Sequence, residues 1–141
     1  MYSKDMFIGI VLSSFNFYID ISVDESRKIG YKTRIFTNVY GSRQFIEGVK
    51  RSLGQNGIFV SHGISTYLTD TRKSVYCLTI SKINQLSKLM SLIPVIPNRN
   101  NDLELVREAI SLVEKKKHLT LKGLQRLIII KEMKKHGIVE H

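Results

Sequence analysis

The chain has no tryptophan, one cysteine, two prolines and no long apolar run. A lone cysteine, Cys77, excludes an internal disulfide framework and a cysteine-rich zinc site, and it fits a reducing compartment. The longest nearly apolar stretches, Phe7 to Leu12 and Leu127 to Ile130, fall far short of the roughly 20 residues needed to span a bilayer. No charged start leads into an apolar run with a small-residue cleavage site, so secretion is not expected. The four histidines, His62, His118, His136 and His141, are scattered without ligand spacing, and no metal or cofactor is expected. Gly54, Gly57 and Gly63 form no phosphate-binding loop and read as a helix stop and turns. Acidic residues are scarce too: 12 stand against 22 lysines and arginines, a net charge of +10. A surplus of that size in 141 residues points to a polyanionic partner, nucleic acid ahead of a membrane surface.

What is present reads as one ordinary globular domain, residues 1–141, with a core over about 6–93 and a helical extension over about 101–136. Met6 to Ser14 is a short apolar helix. Phe17, Ile19, Ile21 and Val23 then alternate with polar residues, the pattern of a strand with one buried face. Asp24 to Gly30 is a polar turn, and Tyr31 to Val39 returns as a second strand. Its Thr33, Ile35, Thr37 and Val39 lie on one side; Lys32, Arg34, Phe36 and Asn38 lie on the other. Ser42 is placed to cap a helix carrying Phe45, Ile46, Val49 and Leu53, with Gly54 as its stop. Extended pieces follow over Gly57 to about Leu68 and Ser74 to Ser81, joined by the basic turn Asp70 to Lys73. Ser81 caps a helix through Ile93 that the Pro94/Pro97 segment ends. Two amphipathic helices close the chain, Asp102 to about Lys117 and one beginning at Thr120. The order αββαββα plus two C-terminal helices implies an α+β fold. A mixed or antiparallel sheet carries helices on one face and leaves the other face open and basic.

The candidate nucleic-acid contacts follow from that placement. Arg27, Lys28, Arg72 and Lys73 fall on hairpin turns, and Lys32 and Arg34 on the open strand face. Phe36 and Tyr18 share that face, where an aromatic ring can stack on an unpaired base. Asp20 and Asp24 count against a tight phosphate track. Lys115, Lys116 and Lys117, with Lys131, Lys134 and Lys135, form basic clusters on the last helices that supply a second phosphate-binding surface. Cys77, between Tyr76 and Leu78 on a strand, lacks a histidine partner and reads as filler.

The layout, with F-I-G-I-V-L-S-S-F at its start, resembles the LAGLIDADG homing endonucleases with one motif per chain. The motif maps onto Phe7 to Phe15, with Gly9 and Ser13 at its small, helix-packing positions. F-Y-I-D-I-S, R-K-I-G-Y-K and K-K-H-L-T-L-K-G-L-Q-R-L are similar to later family segments, so the resemblance covers most of the chain. It implies motif helices of two halves packed side by side, and curved sheets that form a saddle in a DNA groove. It also implies an acidic residue at the eighth motif position, holding divalent metal for phosphodiester hydrolysis. Here that position is Ser14, the sixth is Leu12 and the closing glycine is Phe15. Ile8 stands in place of a small alanine in the same helix. Lys82 resembles a basic group found near such catalytic centres; without the carboxylates it reads as a helix-start lysine or a phosphate contact.

The expectation is therefore a catalytically inactive member of this kind, not an enzyme. It binds structured RNA as a ribosome-associated, rRNA-binding protein in a prokaryotic cytoplasm, with other ribosomal proteins as neighbours and no membrane partner. The alternatives are an intron maturase, a non-cleaving DNA-binding regulator, or a homing endonuclease with residual metal-dependent cleavage. A mitochondrial or plastid matrix is the alternative location, and a homodimer is open but not favoured.

Overall fold

A computed structural model describes residues 2–60, 65–68, 74–94 and 101–135. Arg72, Lys73, His62, His136, His141 and Pro97 lie outside the described residues, as does the side chain of Lys135.

The elements in chain order are α1 (Lys4–Ser14), β1 (Asn16–Val23), β2 (Tyr31–Gly41), α2 (Arg43–Gln55), β3 (Ser65–Leu68), β4 (Ser74–Ile80), α3 (Ile83–Leu92), α4 (Asn101–Glu114) and α5 (Leu121–Lys135). A single 3-10 turn, Lys117–Leu119, joins the last two. The strands form one sheet in the order β1-β2-β4-β3, and β4 pairs antiparallel with both β2 and β3. This is the expected α+β order. Residue contacts divide the chain into two units: Met1–Phe17 with Phe36–Leu92, and Tyr18–Ile35 with Ile93–His141. Strands β1 and β2 each begin in one unit and end in the other.

In the first unit, α1 starts at Ser3, whose side chain accepts from the Met6 amide at 3.2 Å. Phe7 and Val11, one turn apart, are its buried residues. Helix α2 opens in the same way on Ser42, which accepts from Phe45, and turns Ile46, Val49 and Leu53 inward against β4. Thr37, fully buried on β2, donates to the Asn16 carbonyl at 2.7 Å, which removes the cost of burying its hydroxyl. Leu86, Leu89 and Met90 of α3 complete this core.

Several boundaries differ from the expected ones. Helix α2 does not stop at Gly54 but runs to Gln55, and Gly57 takes the left-handed backbone (φ +81) that ends it. Ile58 N–H bonds to the Leu53 carbonyl and Gly57 N–H to that of Gly54, a paired C-terminal cap whose Leu53 and Ile58 side chains are both buried. Residues 57–60 are thus occupied in leaving the helix and are not part of a strand, and the described strand β3 is Ser65–Leu68. Ser81 is not the start of α3, because the first helical carbonyl, accepting from Gln85 and Leu86, is that of Lys82. Helix α4 ends at Glu114 and does not reach Lys117, since Lys116 adopts φ 59 and breaks the ladder.

In the second unit the outer half of the hairpin is grouped with α4 and α5. Ile19 and Ile35 are buried there, as are Ile93, Leu103, Val106, Ala109, Ile110, Leu124, Leu127 and Ile130. Each of the buried valine, leucine and isoleucine side chains contributes about 1.5–3 kcal/mol, and Ala109 less. Arg126 on α5 clamps Glu108 on α4 with two bonds, 2.6 and 2.9 Å. Thr120 caps α5, accepting from Gly123 N–H at 3.1 Å while donating to the Lys117 carbonyl at 2.7 Å. Gly123 is obligatory, because a Cβ there would collide with the Lys117 carbonyl oxygen.

Candidate nucleic-acid interface

The hairpin turn of the second unit is built by Asp24. One carboxylate oxygen accepts from the Ser26 amide and hydroxyl at 3.1 and 2.6 Å, and the other from Arg27 Nε at 3.2 Å. The two Ser26 bonds, ahead of Arg27, hold its carboxyl below the usual carboxylate range. Gly30 supplies the positive φ that lets the strand return. The turn therefore presents Arg27 and Lys28 outward at a fixed position. Along β2, Thr33 and Ile35 face inward, while Lys32 and Arg34 alternate with them and are exposed. Tyr18 on β1 is partly exposed, with Lys134 Nζ of α5 6.0 Å from its ring centre.

The other basic cluster lies on the turn after α4. The left-handed Lys116 reverses the chain, and Lys115, Lys116 and Lys117 are all exposed. His118, next in line, is half-buried, and its Nδ1 has no hydrogen-bond partner among the described residues. Burial, and after it the charge of Arg27, pushes its pKa down. Arg27 of the hairpin turn thus acts electrostatically on the residue that follows the three lysines, some ninety positions later in sequence. Beside them lies a cleft of about 360 Å³ lined by Leu112, Lys117, Thr120, Lys122, Gly123 and Arg126. Lys122 and Arg126 carry no signal in the sequence that sets them apart. The 3-10 turn, in a stretch whose spacing implies continuous helix as far as Lys117, is what sets them beside Lys117. Lys131 and Lys134 are half-buried.

In the first unit, Phe36 is half-buried and Lys82 exposed at the start of α3. Tyr40, on the same side of β2 as Phe36, is 43% exposed and is a further aromatic that sequence reasoning misses. Cys77 is buried, 3.7 Å from the Thr79 hydroxyl.

Helix α1 carries the remaining candidates. Gly9 is exposed, and a methyl group added there would meet nothing within 4 Å. Ser13 donates to the Gly9 carbonyl at 2.8 Å, and its Oγ lies 3.3 Å from that of Ser14. Leu12 and Ser14 are half-buried. The carboxylates among the described residues of this unit are Asp5 and Glu47. Asp5 sits at the opposite end of α1 from Ser14, about 13 Å along the axis at 1.5 Å per residue. Glu47 is held by Arg43 at 3.0 Å. Divalent magnesium and calcium are held by carboxylate and carbonyl oxygens, which a pair of neutral hydroxyls does not replace. The end of α1 therefore does not fit such a cation. Among the described residues, no group of three or more His, Cys, Asp or Glu is placed to share a metal ion, and no helix is long and apolar enough to cross a membrane.

Solved structures match this architecture over nearly its whole length. The homing endonuclease I-TnaI superposes with a TM-score of 0.77 at 21% identity, covering 97% of this chain and 90% of its own. I-SmaMI, a LAGLIDADG homing endonuclease solved with uncleaved DNA, gives 0.78 at 18% identity, covering 99% of this chain. The archaeal intron-encoded homing endonuclease I-Vdi141I, complexed with DNA, gives 0.74 at 17% identity and 98% coverage. The fold is that of the LAGLIDADG homing endonucleases. This LAGLIDADG-like chain spans about half the length of I-SmaMI, 47% of it, but 90% of I-TnaI. No protein-family model and no curated protein matches the sequence. Helix α1 contains Phe7 to Ser14 of the motif-like stretch, with Phe15 as its C-cap, and the H-L-T-L-K-G-L segment forms the turn that opens α5.

Proposed function

We propose that this chain is a catalytically inactive LAGLIDADG-type protein that binds nucleic acid, with structured RNA, ribosomal RNA foremost, as its ligand. The observation that carries the reading is the end of α1. Ser14 stands where the resemblance implies a metal-binding acid; of the described carboxylates of that unit, Asp5 is at the far end of α1 and Glu47 is engaged by Arg43. Binding needs no such acid. It needs cations held in fixed places, and the second unit supplies Arg27, Lys28, Lys32, Arg34 and Lys115 to Lys117. Contacts of this type read backbone phosphates and the shape of a folded strand, which suits RNA whose deep major groove side chains cannot enter.

A second reading, a non-cleaving binder of duplex DNA, is favoured by one observation: I-SmaMI and I-Vdi141I were solved on DNA. Crosslinking the protein to nucleic acid in cells, purifying it and sequencing the attached strands separates the two. Ribosomal RNA at a discrete site is the expected result. Intron RNA would make the chain a maturase, and a defined DNA duplex without RNA would overturn the RNA reading. Incubation of recovered DNA with magnesium or manganese tests the inactivity directly; a cation-dependent nick would refute it.

A further inference from the structure

The first unit carries an aromatic ring with little apolar cover. Phe59 follows the fully buried Ile58 at the exit of α2, yet it is itself 71% exposed. Its ring lies across Gly54, where an added methyl group would sit 3.7 Å from the ring edge. Its backbone is pinned to α3: the Phe59 carbonyl accepts from Gln85 Nε2 at 2.5 Å, and Lys88 Nζ donates to the Gly57 carbonyl at 3.2 Å. The segment is thus held by main-chain bonds while the ring is left outside.

Among the described residues, the unpaired charge on the two helical segments beside the ring is positive. Lys50 and Arg51 lie one turn before Gly54 on α2, Lys88 lies one turn after Gln85 on α3, and Lys82 is the residue that precedes α3. All four are exposed. Helix α3 contains no acidic residue, and Glu47, the acid of α2, is engaged by Arg43.

We propose that this ledge is a separate nucleic-acid contact that takes an unpaired nucleotide, its base stacked on Phe59 and its flanking phosphodiesters on the surrounding lysines and arginine. It rests on the chain being a nucleic-acid binder, but uses none of the cations of the second unit. A duplex keeps its base faces inside its own stack and offers the ring nothing; an unpaired base offers a π face. The ledge therefore selects loops, bulges and single strands over helices.

The chain has no tryptophan, so Phe59→Trp in the full-length protein creates a sole tryptophan reporter, excited at the red edge of its absorption apart from the six tyrosines. Its emission is expected to fall when a 12-nucleotide oligouridine is added and to stay unchanged with an RNA duplex of equal length. Phe59→Ala is expected to weaken oligouridine binding, read by anisotropy of the labelled strand, by about tenfold, the order found for removal of a stacking ring. Phe59→Tyr should retain it, and duplex binding should change less than twofold in both. Melting curves of each variant confirm folding, which an exposed ring does not govern. Unmoved emission while oligouridine binds, or equal affinity of Phe59→Ala, overturns the ledge. A Lys32→Ala/Arg34→Ala double variant separates the two proposals. If it loses structured RNA while the Phe59→Trp response to oligouridine persists, the ledge stands as its own site. If it loses structured RNA and Phe59 substitutions are silent, the ledge falls and the reading of the second unit survives.

Discussion

Gly54 and Gly57 are three residues apart and do opposite things. Gly54 is inside α2 with ordinary helical backbone, so Gly54→Ala removes unfolded-state freedom and should stabilise by about 0.5–1 kcal/mol. The added methyl group would meet Phe59 at 3.7 Å, a normal contact. Gly57 has φ +81, and Gly57→Ala should cost about 1–2 kcal/mol. Thermal melts of the two variants should therefore move in opposite directions by a few degrees. The sequence does not tell the two apart: both lie at the end of one amphipathic run, and the choice is made by burial of Ile58 one residue later. Gly123→Ala is a harsher test, because its methyl group would meet backbone and not a movable side chain. A loss of about 2 kcal/mol or more, within the range for strained or overpacked positions, is expected by denaturant titration. Ser14 is legible without a structure. What the structure adds is that both hydroxyls at that helix end are already engaged locally, one with the Gly9 carbonyl and each near the other.

At the scale of elements, periodicity carries most of the fold. The alternation of two in β1 and β2 and the helical spacing of α2, α3 and α4 put Ile19, Ile35, Val49, Leu89 and Val106 inside, where they are found. Val23, at the open end of β1, falls on the inward side of the pattern and is instead 71% exposed, since alternation fixes a side but not whether anything covers it. The turn between α4 and α5 is not legible, because nothing local marks Lys116 as the residue to take a left-handed backbone. That turn is nonetheless what the Glu108–Arg126 clamp and His118 depend on. Glu108 is held below its ordinary pKa, first by the Arg126 hydrogen bond. Its contribution is present above the unfolded value near 4.5 and is lost as pH falls through the folded one. The side chains are some 40% exposed, so screening limits the effect to about 1 kcal/mol or less. Glu108→Gln should lower the melting temperature slightly at pH 7 and converge with the parent in acid. The His118 pKa is also depressed, first by burial and then by Arg27, so the fold favours its neutral form. Its contribution is complete above the unfolded pKa of about 6.5 and declines as pH falls below that value. Replacing it by glutamine should flatten the melting temperature between pH 7 and 5; an unchanged slope would show that His118 is not the group responsible.

For the molecule as a whole, the net charge of +10 matters less than where it is concentrated. Lys115, Lys116 and Lys117 are consecutive and exposed on one turn, so they act on a phosphate backbone as one cluster. Lys115→Ala/Lys116→Ala/Lys117→Ala should weaken RNA binding about equally for every sequence tested. It should also reduce the slope of log affinity against log salt by roughly 2 to 3, at about 0.7–0.9 for each phosphate no longer neutralised. A steep loss confined to one RNA sequence would instead mean that these lysines read bases. The division of the chain has a consequence in time. The second unit is discontinuous: Ile19 and Ile35 are made early, and the residues grouped with them, from Leu103 onward, are made late. At about 5–20 residues per second, the roughly 70 residues between Ile35 and Leu103 take about 3–14 s to synthesise. For that interval a nascent chain carries a half-finished hairpin, with two isoleucines still without the helices that share their unit.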